Sequence, residues 1–172
     1  MKIYERNEFW VIVGVIVGFL LSVFWEIGKN IYSLCKKRSA IESELRTNLG
    51  LLPQIIDILE QARDSFIHES VLPTHSVHFK TYAYNLYIGD VAPDLSAIQR
   101  ENLHIINEKF RVVDNFLDNF FKEFLELRAS GQLDDPFDAY KGMCEDLIAN
   151  SNLLKELIDE YLAGNPRKVT WD

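Results

Sequence analysis

The chain has 172 residues and a mass of 20.0 kDa, which fits one ordinary domain or a smaller domain with an appendage. Hydrophobic residues make up 48% and charged residues 26%, which excludes disordered, collagen-like and low-complexity chains. Eighteen Lys and Arg against 26 Asp and Glu give a net charge of −8, so a generally basic nucleic-acid binder is not expected. Two cysteines, Cys35 and Cys144, are too few for a disulfide framework or a four-thiolate zinc site.

An uncharged apolar run lies near the start of the chain. It extends over 17 residues from Phe9 to Trp25, at the short end of what crosses a hydrocarbon core. The apolar character then continues to the basic stop Lys36-Lys37-Arg38. We therefore predict a membrane anchor and basic stop over residues 1–38, with a spanning helix from about Glu8 to about Cys35.

A cleaved signal peptide is the alternative interpretation of this run. Such a peptide needs a basic start and a cleavage site of small residues. Here Glu5 and Glu8 precede the run, and the bulky Phe24-Trp25-Glu26 stands where cleavage would occur. The pattern favours an uncleaved anchor.

The flanking charges predict the orientation of the anchor. Two basic residues, Lys2 and Arg6, precede the run, and four follow it up to Arg38. Because excess positive charge stays on the cytoplasmic side, we expect the N-terminus outside and residues 39–172 in the cytoplasm.

Three small residues recur at four-residue spacing within the span: Gly14, Gly18 and Ser22. They share one helix face, which allows two helix backbones to approach closely and favours self-association in the membrane. The alternative is that glycine is simply common in membrane helices.

The region after the anchor is acidic. Residues 39–172 contain 12 Lys and Arg and 23 Asp and Glu, a net of −11, whereas residues 1–38 have a net of +3. The anchor segment therefore attracts anionic headgroups, and the rest of the chain is repelled by them.

Helical periodicity dominates residues 39–172. Ser39-Ala-Ile-Glu42 has the form of a capping box, so a helix is predicted to begin there and to run to Phe66. Gly50 and Pro53 predict either a kink or two helices that meet. Residues 68–78 have no periodicity and predict a loop.

Three further helices are expected. A short aromatic helix is predicted from Phe79 to Gly89, a long one from about Pro93 to Ala129, and a last one from Asp134-Asp135-Pro136 to Gly164. The long helix has two neighbouring apolar stripes and must pack on more than one element. The first stripe runs from Leu103 to Phe124, and the second contains Ile98, Ile105, Val112 and Phe116. In the last helix we expect Met143 to lie in the core. The prediction is an all-α protein, with an N-terminal transmembrane helix followed by a soluble helical bundle built on a long antiparallel hairpin.

The sequence offers little for catalysis. His68, His75 and His78 share one loop, but their spacing matches no zinc motif. Glu101-x-x-His104 occurs once, whereas a di-iron bundle needs two such steps. Cys144 lies on an apolar stripe, where a buried thiol is the default. We therefore expect no enzyme, no catalytic residue, no metal site and no cofactor.

One polar constellation on the long helix could bind an anion. Basic and amide side chains recur there at intervals of four, three and four residues, so they lie on one helix face. Basic and aromatic residues of the short helix could approach this face. Arginine would then pair with phosphate, and tyrosine would stack on a base. The alternative is a solvated face, because Glu101 and Glu108 lie beside the stripe. The candidate ligand-binding residues are Lys80, Tyr82, Tyr84, Arg100, His104, Asn107 and Arg111.

Two sequence segments suggest a family. The juxtamembrane helix reads IESELRTNL from Ile41 to Leu49, and FKTYAYNLYIG from Phe79 to Gly89 precedes the long hairpin. The arrangement resembles small single-pass, membrane-anchored helical-bundle proteins of bacterial defence loci, among them the cyclic-oligoadenylate-responsive membrane effectors of type III CRISPR systems. The resemblance implies a bacterial inner-membrane protein whose soluble domain assembles as a tetramer and binds a cyclic oligonucleotide.

These observations lead to one main functional hypothesis and two alternatives. The main hypothesis is a non-enzymatic, oligomeric membrane effector of antiphage defence that senses an anionic second messenger. Its expected partners are membrane lipid, further copies of the chain and a cyclic oligonucleotide, with no DNA or long RNA. The first alternative is a membrane-tethered module that docks a partner protein, and the second is a channel lined by Ser22 and Glu26.

Overall fold

The computed structural model describes residues 3–69, 77–131 and 135–168, with side chains from Trp10 onward. Over these ranges every element of secondary structure is a helix, which confirms the all-α prediction. They are α1 (Ile3–Ile67), α2 (Tyr82–Val91), a 3-10 turn (Ala92–Asp94), α3 (Ala97–Ser130) and α4 (Pro136–Leu162).

Helix α1 runs without interruption from the apolar run into the packed helical region. The predicted helix start at Ser39 is wrong: Ser39 lies inside α1, since a helix that has already nucleated upstream adds further residues at little cost. The alternative of two helices meeting near Gly50 and Pro53 is also wrong. Pro53 is exposed, so the carbonyl that loses its hydrogen bond four residues earlier can turn towards water.

The N-terminal part of α1 is not packed against the protein, whereas its C-terminal part is buried in the core. The stretch that begins at Trp10 is the one helix, within the described residues, that is long and apolar enough to cross a membrane, with a mean hydropathy of 2.3 over a window that is entirely unburied. From Ile41 onward the same helix buries its apolar residues in the protein core. A single helix therefore contains both the candidate span and one side of the helical core.

The connection from α2 to α3 differs from the prediction. Residues 90–93 do not open the long helix, because Pro93 lies in the 3-10 turn. Helix α3 instead begins after Ser96, whose hydroxyl accepts a hydrogen bond from the Gln99 backbone N–H (3.2 Å) while the Gln99 side chain accepts one from the Ser96 N–H (2.9 Å). This reciprocal capping box satisfies two backbone donors at the start of α3.

The predicted boundary between α3 and α4 agrees with the structure. Gly131 ends α3 in the left-handed conformation (φ 64°), which glycine adopts without strain. Asp135 caps α4 by accepting from the N–H groups of Phe137 (3.0 Å) and Asp138 (3.1 Å), and Pro136 occupies the first turn.

The C-terminal part of α3 contacts the start of α4, and the N-terminal part of α3 contacts the segment just after α4. At one end the Phe124 and Phe137 rings lie 4.9 Å apart between centroids. At the other end Asn102 donates to the backbone carbonyl of Arg167, just beyond α4 (2.9 Å).

The core joins α1, α3 and α4. The first apolar stripe predicted on α3, from Leu103 to Phe124, is buried as expected. The second is not fully covered, since Ile98 and Val112 are 39% and 49% exposed. On α4, Met143 was predicted to lie in the core but is 46% exposed, because α4 turns this residue towards an open groove and not towards α1.

Candidate functional site

Helix α2 is held against α1 by a carboxylate. The two side-chain oxygens of Glu44 accept hydrogen bonds from the backbone N–H groups of Ala83 (2.7 Å) and Tyr84 (3.0 Å). Thr81, the residue before α2, provides no side-chain cap. Glu44 therefore satisfies two free donors at the N-terminus of α2, where a negative charge also interacts favourably with the helix dipole.

One turn further along α1, Asn48 fixes the segment that leads into α2. Its side chain is fully buried and makes two hydrogen bonds with the backbone of Lys80, donating to the carbonyl (2.6 Å) and accepting from the N–H (2.8 Å). No local sequence pattern indicates a role for Glu44 or Asn48. The signal that could have identified Asn48 is its position among Leu45 and Leu52 on the core-facing side of α1, where a polar residue needs a buried partner.

Of the residues of the predicted anion-binding constellation on the α2 side, Tyr84 lies near α3. Tyr84 is half-buried, and burial raises the pKa of its hydroxyl, with the nearby carboxylate of Glu108 raising it further. Glu108 lies on α3 between Asn107 and Lys109, so α2 does approach the polar stripe at this point. Tyr82, by contrast, is 76% exposed.

Both arginines of the constellation have partners within the chain. Arg111 forms an ion pair with Glu108 (2.6 Å), and Arg100 donates to the backbone carbonyl of Ala92 (3.2 Å). An anion would have to compete with these contacts. His104 is exposed, and the enclosed side-chain oxygen of Asn107 has no hydrogen-bond partner in the described part of the chain.

An open groove of about 560 Å³ lies between α3 and α4, on a surface that sequence reasoning did not identify. Its apolar lining is formed by Val112 and Phe116 of α3 and by Met143 and Leu147 of α4. Two carboxylates, Glu123 and Asp146, and two asparagines complete the lining, which contains no Lys or Arg. We refer to this surface as the α3–α4 groove.

Groups with the potential for metal or thiol chemistry are not assembled. The described residues contain no group of three or more His, Cys, Asp or Glu side chains placed to hold a metal ion, and His75 lies outside the described residues. His78 instead lies 3.5 Å from the carboxylate of Asp118. Burial raises the pKa of Cys144 to about 12, so this thiol stays protonated at neutral pH.

Comparisons with known proteins identify no family for this chain. No protein-family model, no curated protein and no solved structure matches the chain.

Proposed function

We propose that this protein is a non-enzymatic, membrane-anchored helical module that docks a partner protein at the cytoplasmic face of a bacterial inner membrane. One observation carries the proposal: α1 continues without a break from the apolar, fully exposed stretch into the core of the soluble domain. A soluble domain joined to its anchor in this way is held at a set height and angle, which suits a docking scaffold.

Contacts at the basic stop support close attachment of the domain to the membrane. The Lys37 ammonium group forms a 2.8 Å ion pair with Asp90, near the end of α2, and so links α2 to the part of α1 just behind the span. From Trp25 to Lys37 the helix rises about 18 Å. The helical domain, built on an antiparallel α3–α4 hairpin, would therefore begin close to the headgroups, while its net charge of −11 limits adhesion to anionic lipid.

Membrane fractionation of the full chain with a C-terminal tag tests the tether. We expect the protein to stay in the pellet after carbonate washing, and the tag to be protected from protease in spheroplasts but digested in lysed cells. The control variant Val15→Lys with Phe19→Lys places two charges in the span and should be released. Release of the wild-type chain, or digestion of the tag in intact spheroplasts, would contradict the proposal.

A second candidate function is the defence effector that senses a cyclic oligoadenylate and acts on the membrane. A specific observation favours it: the half-buried Tyr84 of α2 lies near the Glu108 carboxylate of α3, and Glu108 is the ion-pair partner of Arg111. Ligand binding could then bias the membrane segment only through different affinities for two arrangements of the oligomer.

Thermal unfolding of the detergent-solubilised chain distinguishes this candidate from plain docking. Cyclic oligoadenylates of several ring sizes should raise the unfolding temperature of the wild type but not of the variant Arg100→Ala with Arg111→Ala. Lys122→Ala, an exposed change on the same helix, serves as the control. If no ring size changes the unfolding temperature of the wild type, the sensing function is contradicted, whereas the docking function is unaffected.

A further inference from the structure

We propose that the α3–α4 groove binds a basic, amphipathic helix of the partner protein. This inference rests on the proposed docking function and specifies the chemistry of the partner. Three features of the groove support it: its apolar lining, its length and its charge.

The apolar lining is only partly covered by the protein itself. Val112 is 49% and Met143 46% exposed, whereas Leu147 lies beneath them at 9%. Half-exposed apolar side chains over a buried floor give a partner apolar surface to bury. Met143 also has a flexible and polarisable side chain that adapts to the shape of a bound residue.

The length of the groove suits a short helix. Its α3 wall runs from Val112 to Glu123, a rise of about 17 Å or three helical turns. A helix of this length can present apolar residues at positions i, i+3 or i+4, and i+7 to one groove, which is a common mode of peptide recognition.

Charge selects among the possible occupants. Glu123 and Asp146 border the apolar lining, and no basic residue lies among the groove residues. Lys or Arg flanking the apolar positions of a partner helix would pair with these carboxylates. A second copy of this domain, with its net charge of −11, would instead be repelled.

Fluorescence anisotropy with defined peptides tests the inference on the full chain, reconstituted in nanodiscs of zwitterionic lipid. The probe is a labelled helical peptide of Leu and Lys, about 11 to 18 residues long, with a Leu and Glu peptide of the same pattern as its counterpart. Binding to empty nanodiscs is subtracted. We expect the Lys peptide to bind and the Glu peptide not to bind.

Two variants with the same charge change locate the binding site. Met143→Lys adds a positive charge to the groove and should weaken binding of the Lys peptide about tenfold or more. Leu125→Lys, at a residue that is equally exposed (46%) but does not line the groove, should change binding less than about twofold. Glu123→Gln with Asp146→Asn should weaken binding about tenfold and remove most of its salt dependence.

Four results would overturn the inference: equal binding of the Glu peptide, equal effects of Met143→Lys and Leu125→Lys, no binding above empty nanodiscs, or self-association that Met143→Lys abolishes. The last result would identify a second copy as the occupant. Circular dichroism on Met143→Lys checks that the variant is folded. Carbonate extraction of the same variants reports on the tether separately, so a failed groove and a failed tether give different results.

Discussion

At the scale of single residues, burial and hydrogen bonding have opposite effects on the pKa of Asp114. Its carboxylate accepts a hydrogen bond from the Phe79 backbone N–H (3.2 Å), and so helps to position the segment before α2 on α3. Burial raises the pKa of Asp114, and this effect exceeds the lowering by the Phe79 N–H and by His78; Asp118 raises the pKa further. The folded protein therefore favours the protonated form of Asp114.

This shift predicts a pH dependence of stability. Because the folded pKa is raised, the stabilising contribution of protonated Asp114 is complete below the ordinary value of 3.8 and is lost as the pH rises through the folded pKa. Asp114→Asn keeps an acceptor for Phe79 but cannot ionise. As the pH rises above 3.8, the wild type therefore loses stability that Asp114→Asn keeps. The difference in the free energy of unfolding between the two proteins should grow in favour of Asp114→Asn, by about 1 kcal/mol at most because the site is partly solvated.

Urea unfolding of the solubilised full chain at several pH values measures this difference. Asp159→Asn, at an exposed residue of α4 that does not contribute to the Asp114 shift, is the control. Parallel stability profiles for the wild type and Asp114→Asn would show that the Asp114 carboxylate does not titrate differently on folding.

At the scale of elements, the docking of α2 depends on a cap supplied by another helix. Glu44 and the N–H groups of Ala83 and Tyr84 are separated by 39 and 40 residues along the chain. Such a cap joins two elements and satisfies donors that α2 cannot satisfy alone.

Removing this cap should loosen α2. Glu44→Ala leaves both N–H groups without the carboxylate and is expected to lower the free energy of unfolding by about 1–2 kcal/mol. Glu44→Gln keeps one acceptor oxygen and should fall between the alanine variant and the wild type. Circular dichroism during urea unfolding measures the change, and Glu60→Ala, at an exposed residue of α1, is the control. Equal stability of Glu44→Ala and Glu60→Ala would refute the capping role.

At the scale of the whole molecule, the stripe of Gly14, Gly18 and Ser22 remains a prediction about assembly. Within one chain, a Cβ atom added at Gly14 or Gly18 would meet nothing within 4 Å. A steric effect of enlarging these residues would therefore arise between chains or between the chain and lipid.

Gly18→Leu should reduce self-association in the membrane, since a large side chain keeps two helix backbones apart. The mass of the detergent-extracted complex, measured by light scattering, is expected to fall relative to the wild type. Val23→Phe enlarges a residue about 140° around the same helix and should leave the mass unchanged. An unaltered mass for Gly18→Leu would show that the stripe does not mediate assembly.

Local patterns predicted much of the architecture. The buried stripe from Leu103 to Phe124 follows from its helical spacing, and the end of α3 at Gly131 and the start of α4 at Asp135-Pro136 follow from signals that act within one turn. The capping-box sequence at Ser39 gave a wrong helix start, because such a sequence does not begin a new helix inside one that already continues through it.

The sequence by itself therefore determined the helical class, the apolar stretch that could span a membrane, and the boundary between α3 and α4, because each depends on neighbouring residues. Only the tertiary structure decided that Glu44 and Asn48 hold α2 and that the second apolar stripe of α3 borders an acidic groove. These features join residues far apart in the chain. Their contacts depend on which helix faces pack together, and periodicity within one helix does not specify its neighbour.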